Sequence, residues 1–229
     1  LLQKALQNLG EKGDPALRRE IARLAARSFC LKDNVKAVVG KSTNGEGWEQ
    51  AESIAKEQFF PEIKSLALIG KAEAASWQGR HHEFSQLWPE LQKSVIEAGS
   101  PPLLEAQSLV PAVRTALGKG DWQETLILAQ DLLEMSETLG YLRGVVIART
   151  ALAAVKYHSQ DFKEAFTQIQ RAITLGRSHQ LVEFIWASCF LAERLLQFNQ
   201  PQETKSILQE ARAYVEKDPE IASTLYGAE

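Results

Sequence analysis

Lys119-Gly120-Asp121-Trp122 is one of four short turns that recur along this chain of 229 residues. The other three are Gln78-Gly79-Arg80-His81, Ser159-Gln160-Asp161-Phe162 and Asn199-Gln200-Pro201. Each turn ends on a ring or a proline, and these anchors are 41, 40 and 39 residues apart along the sequence. A nearly constant interval of this size indicates a repeated structural unit.

A helix is predicted on each side of every turn, and strand patterns are nearly absent. Before the turns, small residues recur at helical spacing, which lets a neighbouring helix approach closely. These are Ala72, Ala75, Ala112, Ala116, Ala148, Ala151, Ala154, Ala187 and Ala192. After the turns, larger apolar residues follow the same period: Phe84, Leu87, Trp88, Leu91, Leu126, Ala129, Leu132, Leu133, Ala165, Phe166, Ile169, Ala172, Ile173, Ile207, Leu208, Ala211, Tyr214 and Val215.

A second turn closes each unit with Gly or Pro, as at Gly99-Ser100-Pro101-Pro102, Leu139-Gly140-Tyr141 and Asp218-Pro219. These stop signals divide residues 62–218 into four helix-turn-helix units, at about 62–100, 101–140, 141–180 and 181–218. A single helix pair cannot bury its apolar face, whereas stacked pairs can. The expected fold is therefore all-α, a right-handed α-solenoid of antiparallel helix pairs. Residues 219–229 are expected to form a C-terminal capping segment, either as a capping helix or as a dimer contact.

Residues 1–61 are predicted to form a divergent N-terminal unit or cap, or else the tail of a preceding domain. A first helix is expected to start at Asp14 and Pro15, and a second to be closed by Pro61. Their apolar positions are Leu17, Ile21, Leu24, Ala25 and Phe29, then Trp48, Ala51, Ala55 and Phe59. A long loop is predicted between them, at residues 40–47. The chain does not begin with Met, and this favours a processed chain or a piece of a larger protein.

The recurring residues resemble the tetratricopeptide (TPR) family. Gly120-Asp121-Trp122 and Gln160-Asp161-Phe162, followed by Ala165 and Ala172, match its turn and second helix. The interval near 40 is similar to a long-repeat subclass, which includes kinesin light chains and the sensor domains of bacterial signal-transduction ATPases. The stretch 137–144 is similar to the "Leu-Gly-Asp-x-x-Gly" linker of that subclass. The resemblance covers about residues 62–218 and implies an interaction scaffold.

The resemblance also implies that the first helices of the units line a concave groove. The residues predicted to bind a partner there are Glu73, Trp77, Arg114, Tyr157, His158, Trp186 and Glu193. Aromatic side chains and Arg are common anchors of interfaces. Chaperone-binding relatives clamp a terminal carboxylate with Lys and Asn, but Arg114 is the one cation at the corresponding positions. The groove is therefore expected to suit an apolar or weakly basic peptide, or a small effector. The other interpretation is that these residues pack between neighbouring helices.

The composition argues against several classes of protein. The net charge of −3 weighs against a general nucleic-acid binder and against a polybasic membrane-surface protein. No apolar run approaches the length that a membrane span needs, so membrane insertion is not expected. The two cysteines, Cys30 and Cys189, are too few for a disulfide framework and are expected to be buried. A cytoplasmic location follows as the default expectation.

No motif predicts catalysis. Gly40-Lys41-Ser42 lacks the preceding glycine and the strand of a phosphate-binding loop. The adjacent His81 and His82 do not have the spacing of zinc ligands on a helix. We therefore expect no catalytic residues, no metal and no cofactor, and a protein that is not an enzyme. The predicted function is a non-catalytic scaffold that binds a partner peptide or helix in the groove. The alternative is a module that senses an effector or a partner within a larger signalling or transcriptional regulator.

Overall fold

A computed structural model describes residues 15–38 and 45–216. Within these residues the protein is helical, with ten helices and no strand. The helices are α1 (Pro15–Val38), α2 (Glu46–Gln58), α3 (Pro61–Trp77), α4 (His81–Glu97), α5 (Pro102–Lys119), α6 (Trp122–Leu139), α7 (Leu142–His158), α8 (Phe162–Ser178), α9 (Glu183–Gln197) and α10 (Pro201–Glu216). The prediction of an all-α fold is confirmed for this part of the chain.

The chain divides into two compact units, Leu1–Pro111 and Ala112–Glu229, and the division falls inside α5. In unit 1, α1 packs on α2 and α3, α2 on α3, and α3 on α4. In unit 2, each helix from α6 to α10 packs on the next, and α7 also packs on α9. Each of the four predicted repeat ranges holds one pair of helices, although α3 begins one residue early, at Pro61.

The turns between helices share one hydrogen-bonded geometry. One or two residues after the helix end, φ is positive, between 53° and 82°, at Gly79, Gly99, Gly120, Gly140, Gln160, Gln180 and Asn199. The next amide then donates back across five residues, as from Asp121 N to Ala116 O at 3.0 Å and from Asp161 N to Lys156 O at 2.9 Å. This is the Schellman motif, which satisfies carbonyls that the helix leaves without partners. The recurring turns of the sequence are therefore recurring helix ends.

Several helices also start in ways that the sequence indicates. Asp121 and Asp161 are N-caps, and their carboxylates accept hydrogen bonds from Glu124 N at 3.0 Å and Glu164 N at 3.3 Å. Proline is the first residue of α1, α3, α5 and α10, where no intrahelical donor is lost. Where a Schellman end is followed directly by such an N-cap or proline, the turn is short.

Each unit has its own apolar core. In unit 1 the core joins α1, α2 and α3 around Cys30, Trp48 and Ile63. In unit 2 the core joins α7, α8, α9 and α10 around Val146, Ile169 and Phe184. All the small first-helix residues predicted from the sequence are buried: Ala72, Ala75, Ala112, Ala116, Ala148, Ala151, Ala154, Ala187 and Ala192. Alanine at these positions lets the helix axes come close.

Some predictions for the N-terminal region are wrong. Leu17 and Leu24 are 49% and 48% exposed, because α1 packs through the small residues Ala22, Ala26 and Cys30 instead. Phe59 lies just after α2, with φ 56°, and is 84% exposed. The predicted loop 40–47 ends earlier than expected, since α2 begins at Glu46. Asp14, residues 40–44 and the predicted capping segment 219–229 lie outside the described residues.

Three further predictions of burial need correction. Cys189 is exposed, whereas Cys30 is buried as expected. Leu208, predicted on the apolar face of its helix, is 42% exposed. Trp88, in the middle of α4, and Trp122, the first residue of α6, were expected in the core but are only half-buried. No helix in the described part of the chain combines the length and apolar character that crossing a membrane requires.

Candidate functional site

A buried charged cluster joins three helices of unit 2. Arg143 of α7 donates from Nε to Glu183 Oε1 at 2.5 Å, and Arg114 Nη2 of α5 lies 4.0 Å from the same oxygen. The Glu183 side chain is 2% exposed, and that of Arg114 is 5% exposed. Buried charges are tolerated when they are paired in this way. The cluster therefore fixes α5, α7 and α9 against one another.

Two of the predicted groove residues meet beside this cluster. The guanidinium carbon of Arg114 lies 5.9 Å from the centroid of the Trp186 ring, a cation–π contact. Trp186 is half-buried, so one part of the indole stays accessible. Because Arg114 is engaged inside the unit, its charge serves helix packing, and the partly accessible Trp186 is the better anchor for a partner.

An aromatic surface lies at the turn end of the helix pairs of unit 2. We use this name for Tyr157, Phe162 and Phe198, together with the stacked pair Trp122 and His158. The ring of Phe162 lies 5.1 Å from that of Tyr157 and 5.4 Å from that of Phe198. His158 stacks on Trp122 at 4.3 Å. Phe162 and Phe198 are 38% and 43% exposed, and His158 is also exposed, so the surface is open to solvent.

Polar contacts hold Tyr157 in this surface. Its hydroxyl donates to Gln197 Oε1 at 2.6 Å, which ties α7 to α9. The guanidinium carbon of Arg194 lies 4.8 Å from the centroid of the Tyr157 ring and 5.0 Å from that of Phe190. Glu193, 62% exposed in its side chain, pairs with Arg194 at 3.4 Å. The predicted site residues Tyr157, His158 and Glu193 therefore belong to one polar-rimmed aromatic region.

The remaining predicted site residues lie in unit 1, on α3. Glu73 is 4% exposed, whereas Trp77, the last residue of that helix, is 38% exposed. The repeat phase also places other first-helix residues on the predicted groove face, and several of these are buried as well: Ile69, Val110, Ile147, Thr150 and Ala154. Much of the predicted groove face is therefore occupied by helix packing, as the second interpretation of the sequence expected.

Sequence reasoning missed Arg143, Glu183, Arg194 and Phe198. Signals for two contacts were nevertheless present in the repeat register. Arg143 and Glu183 are 40 residues apart, so they occupy equivalent positions in successive helix-pair repeats and have opposite charges. The ring pairs Trp122–His158 and Phe162–Phe198 share a spacing of 36 residues. The first spacing equals one repeat interval, whereas the second is about one helical turn shorter.

Cys189 lies on α9, between Trp186 and Glu193. Partial burial by its neighbours raises the pKa of its thiol above the ordinary value, although the side chain reaches the surface. A raised pKa keeps the thiol protonated and unreactive at neutral pH. Among the described residues, no three His, Cys, Asp or Glu side chains are grouped as metal ligands. A comparison with protein-family models, curated proteins and solved structures gives no match for this chain.

Proposed function

We propose that this chain is a TPR-like helical-repeat scaffold, a solenoid of helix pairs, and that it binds a peptide or helix of a protein partner through the aromatic surface of unit 2. Glu193 of α9 lies on its polar rim, and Trp186 of the same helix, which lies beside Arg114, is a separate candidate anchor. The partner segment is apolar, because most of the surface consists of ring faces and edges.

The exposure of the aromatic surface carries this proposal. Phe162 and Phe198 keep 38% and 43% of their area accessible, while the alanines of the neighbouring helices are fully packed. Contiguous exposed apolar area with a polar rim is typical of interaction sites. Aromatic residues also dominate the binding energy of interfaces, because they bury large areas at little entropic cost. The repeated helix ends and the alanine-lined helix faces support the TPR-like architecture.

The test needs a purified partner, identified by crosslinking in the native cell. Phe198→Ala and His158→Ala are expected to weaken binding by about tenfold or more at one or both positions, measured by isothermal titration calorimetry. Phe59→Ala is the matched control, since Phe59 is an exposed ring in the other unit. Arg114 is unsuitable for this experiment, because its side chain is buried against Glu183 and its loss would destabilise the unit.

Circular dichroism must show that each variant keeps its helix content. Equal affinity of the partner for the wild type and for both variants would contradict the proposal. A loss of affinity in Phe59→Ala alone would place the interface in unit 1.

A further inference from the structure

A second concave site exists in unit 2, away from the aromatic surface. It is a cavity of about 360 Å³ formed by the end of α6, the first half of α7 and the second half of α8. This volume is in the range of small-ligand pockets. The lining residues are Ser136, Glu137, Gly140, Leu142, Val145, Arg149, Arg171 and Leu175. The cavity combines cationic and aliphatic groups.

Arg149 is held rigidly in the cavity wall. Its Nη2 donates to Glu137 Oε1 at 2.6 Å, and its Nη1 donates to Gln168 Oε1 at 2.8 Å. Gln168 in turn donates from Nε2 to Glu164 Oε1 at 2.6 Å. The Arg149 side chain is 17% exposed, whereas that of Glu137 is 50% exposed. Glu137 balances the charge of Arg149.

Arg171 is exposed and is the second guanidinium of the described lining, whose one carboxylate, Glu137, already pairs with Arg149. It lies one turn after Gln168 on α8, and it forms no ion pair or hydrogen bond with any described residue. Leu175 follows four residues later and faces the same cavity. The cavity therefore has one guanidinium available for a single negative charge.

The rest of the wall is aliphatic, with one buried hydroxyl. Leu142, Val145 and Leu175 provide the aliphatic part. Ser136 Oγ is buried and has no hydrogen-bond partner among the described residues. This oxygen packs against Gly144, so it belongs to the contact between α6 and α7.

We propose that this cavity binds a carboxylate attached to an aliphatic group, with Arg171 pairing with the carboxylate and the leucines contacting the aliphatic part. One spare positive charge matches a monoanionic carboxylate better than a phosphate dianion. The aliphatic wall requires an apolar group next to the charge. The site involves other residues than the aromatic surface and does not depend on the function proposed for it.

The experiment titrates the intact chain with N-acetyl-leucine and follows amide shifts by NMR. The expected dissociation constant is on the order of 1 mM, as for other ligands of this size. N-acetyl-leucinamide, which has the same shape without the charge, is expected to bind about tenfold more weakly. Arg171→Gln should cause a similar loss. Lys163→Gln, an exposed change of charge on the same helix, should leave binding unchanged.

Two more probes define the chemistry. Inorganic phosphate is expected to bind more weakly than N-acetyl-leucine. Binding of 3-methylbutanoate equal to that of N-acetyl-leucine would support a site for free carboxylic acids, and weaker binding would support a peptide carboxy terminus. The proposal is overturned if the neutral amide or phosphate binds as tightly as N-acetyl-leucine, or if Arg171→Gln behaves like Lys163→Gln.

Discussion

Gly140 and Gly144 show why a short linker can be specific at the level of single residues. Gly140 ends α6 with φ 66°, a conformation in which a Cβ atom is unfavourable. Gly144 is needed for a different reason, since a Cβ there would lie 2.1 Å from Ser136 Oγ and 2.6 Å from Tyr141 Cδ1. These are the two glycines of the linker that resembles the long-repeat TPR subclass. One glycine is required by backbone conformation and the other by the close approach of α6 and α7.

Gly144→Ala is expected to destabilise the protein by about 1–3 kcal/mol, because Ser136 and Tyr141 must move to admit the methyl group. The measurement is urea unfolding followed by circular dichroism. Gly118→Ala is the control, because Gly118 is exposed near the end of α5, where alanine favours the helix. If both variants have the same stability as the wild type, the contact at Gly144 is not tight.

Cys189 is expected to react slowly with iodoacetamide in the native protein. Because the pKa of its thiol is raised, the thiolate fraction at about pH 7.5 is smaller than in glutathione, and the rate continues to rise with pH beyond the range where glutathione levels off. Mass spectrometry of the alkylated protein gives the rate at each pH. Cys30, which is buried, should be labelled only after denaturation. A Cys189 rate above that of glutathione at neutral pH would contradict the expected shift.

At the scale of helices, Glu183, the first residue of α9, contributes to the packing of three helices. It accepts a hydrogen bond from Arg143 and lies near Arg114, so a single carboxylate connects α5, α7 and α9. The core alanines of α7 and α9 allow these helices to pack closely, and the charged cluster fixes their register. Both the alanine contacts and the charged cluster therefore stabilise the packing of α7 against α9.

Glu183→Gln is expected to lower the free energy of unfolding by about 3–5 kcal/mol, since it removes the buried negative charge that Arg143 and Arg114 both face. Chemical unfolding measures this loss. Glu216→Gln is the matched control, because Glu216 pairs with Arg212 at 2.7 Å on a surface where the two side chains are 68% and 54% exposed. Glu216→Gln should lower the free energy of unfolding by less than about 1 kcal/mol. Similar losses in both variants would show that the buried cluster adds no stability.

At the scale of the molecule, each unit has its own core, so unit 2 should fold without most of unit 1. A fragment of residues 101–216 keeps α5–α10 and all members of the Arg114, Arg143 and Glu183 cluster. We expect it to be helical and to unfold cooperatively by circular dichroism, because helical-repeat proteins are stabilised mainly by contacts between neighbours.

A shorter fragment of residues 121–216 lacks α5 and therefore Arg114. It is expected to have a lower Tm than the fragment 101–216, since Glu183 loses one of its two cations and α5 no longer covers this region. An unfolded 101–216 fragment, or equal Tm values for the two fragments, would contradict this division of the chain.

The helices and their ends were predictable because the signals for them are local. Gly120 and Asp121 specify a Schellman end and an N-cap within a few residues, and the period of the alanines identifies the buried stripe of each first helix. Local signals were weaker near the N-terminus. There Leu17 and Leu24 suggested an apolar face, but α1 packs through smaller residues whose role depends on how closely α2 and α3 approach.

The candidate sites were only partly predictable. Tyr157, His158, Trp186 and Glu193 remain at least partly accessible, whereas Glu73 and Arg114 are buried. Residue type and repeat phase cannot tell an exposed position from one that a neighbouring helix covers. The charged cluster and the cavity at Arg171 also required the structure, because each combines side chains from three helices.

The sequence by itself therefore determined the helices, their boundaries and the interval near 40, because backbone conformation, capping and helical periodicity are properties of a few consecutive residues. Only the tertiary structure decided which side chains are buried, which charges are paired and where the surface stays open. Those properties depend on distances between helices that lie 20 to 40 residues apart along the chain, as Arg143 and Glu183 illustrate.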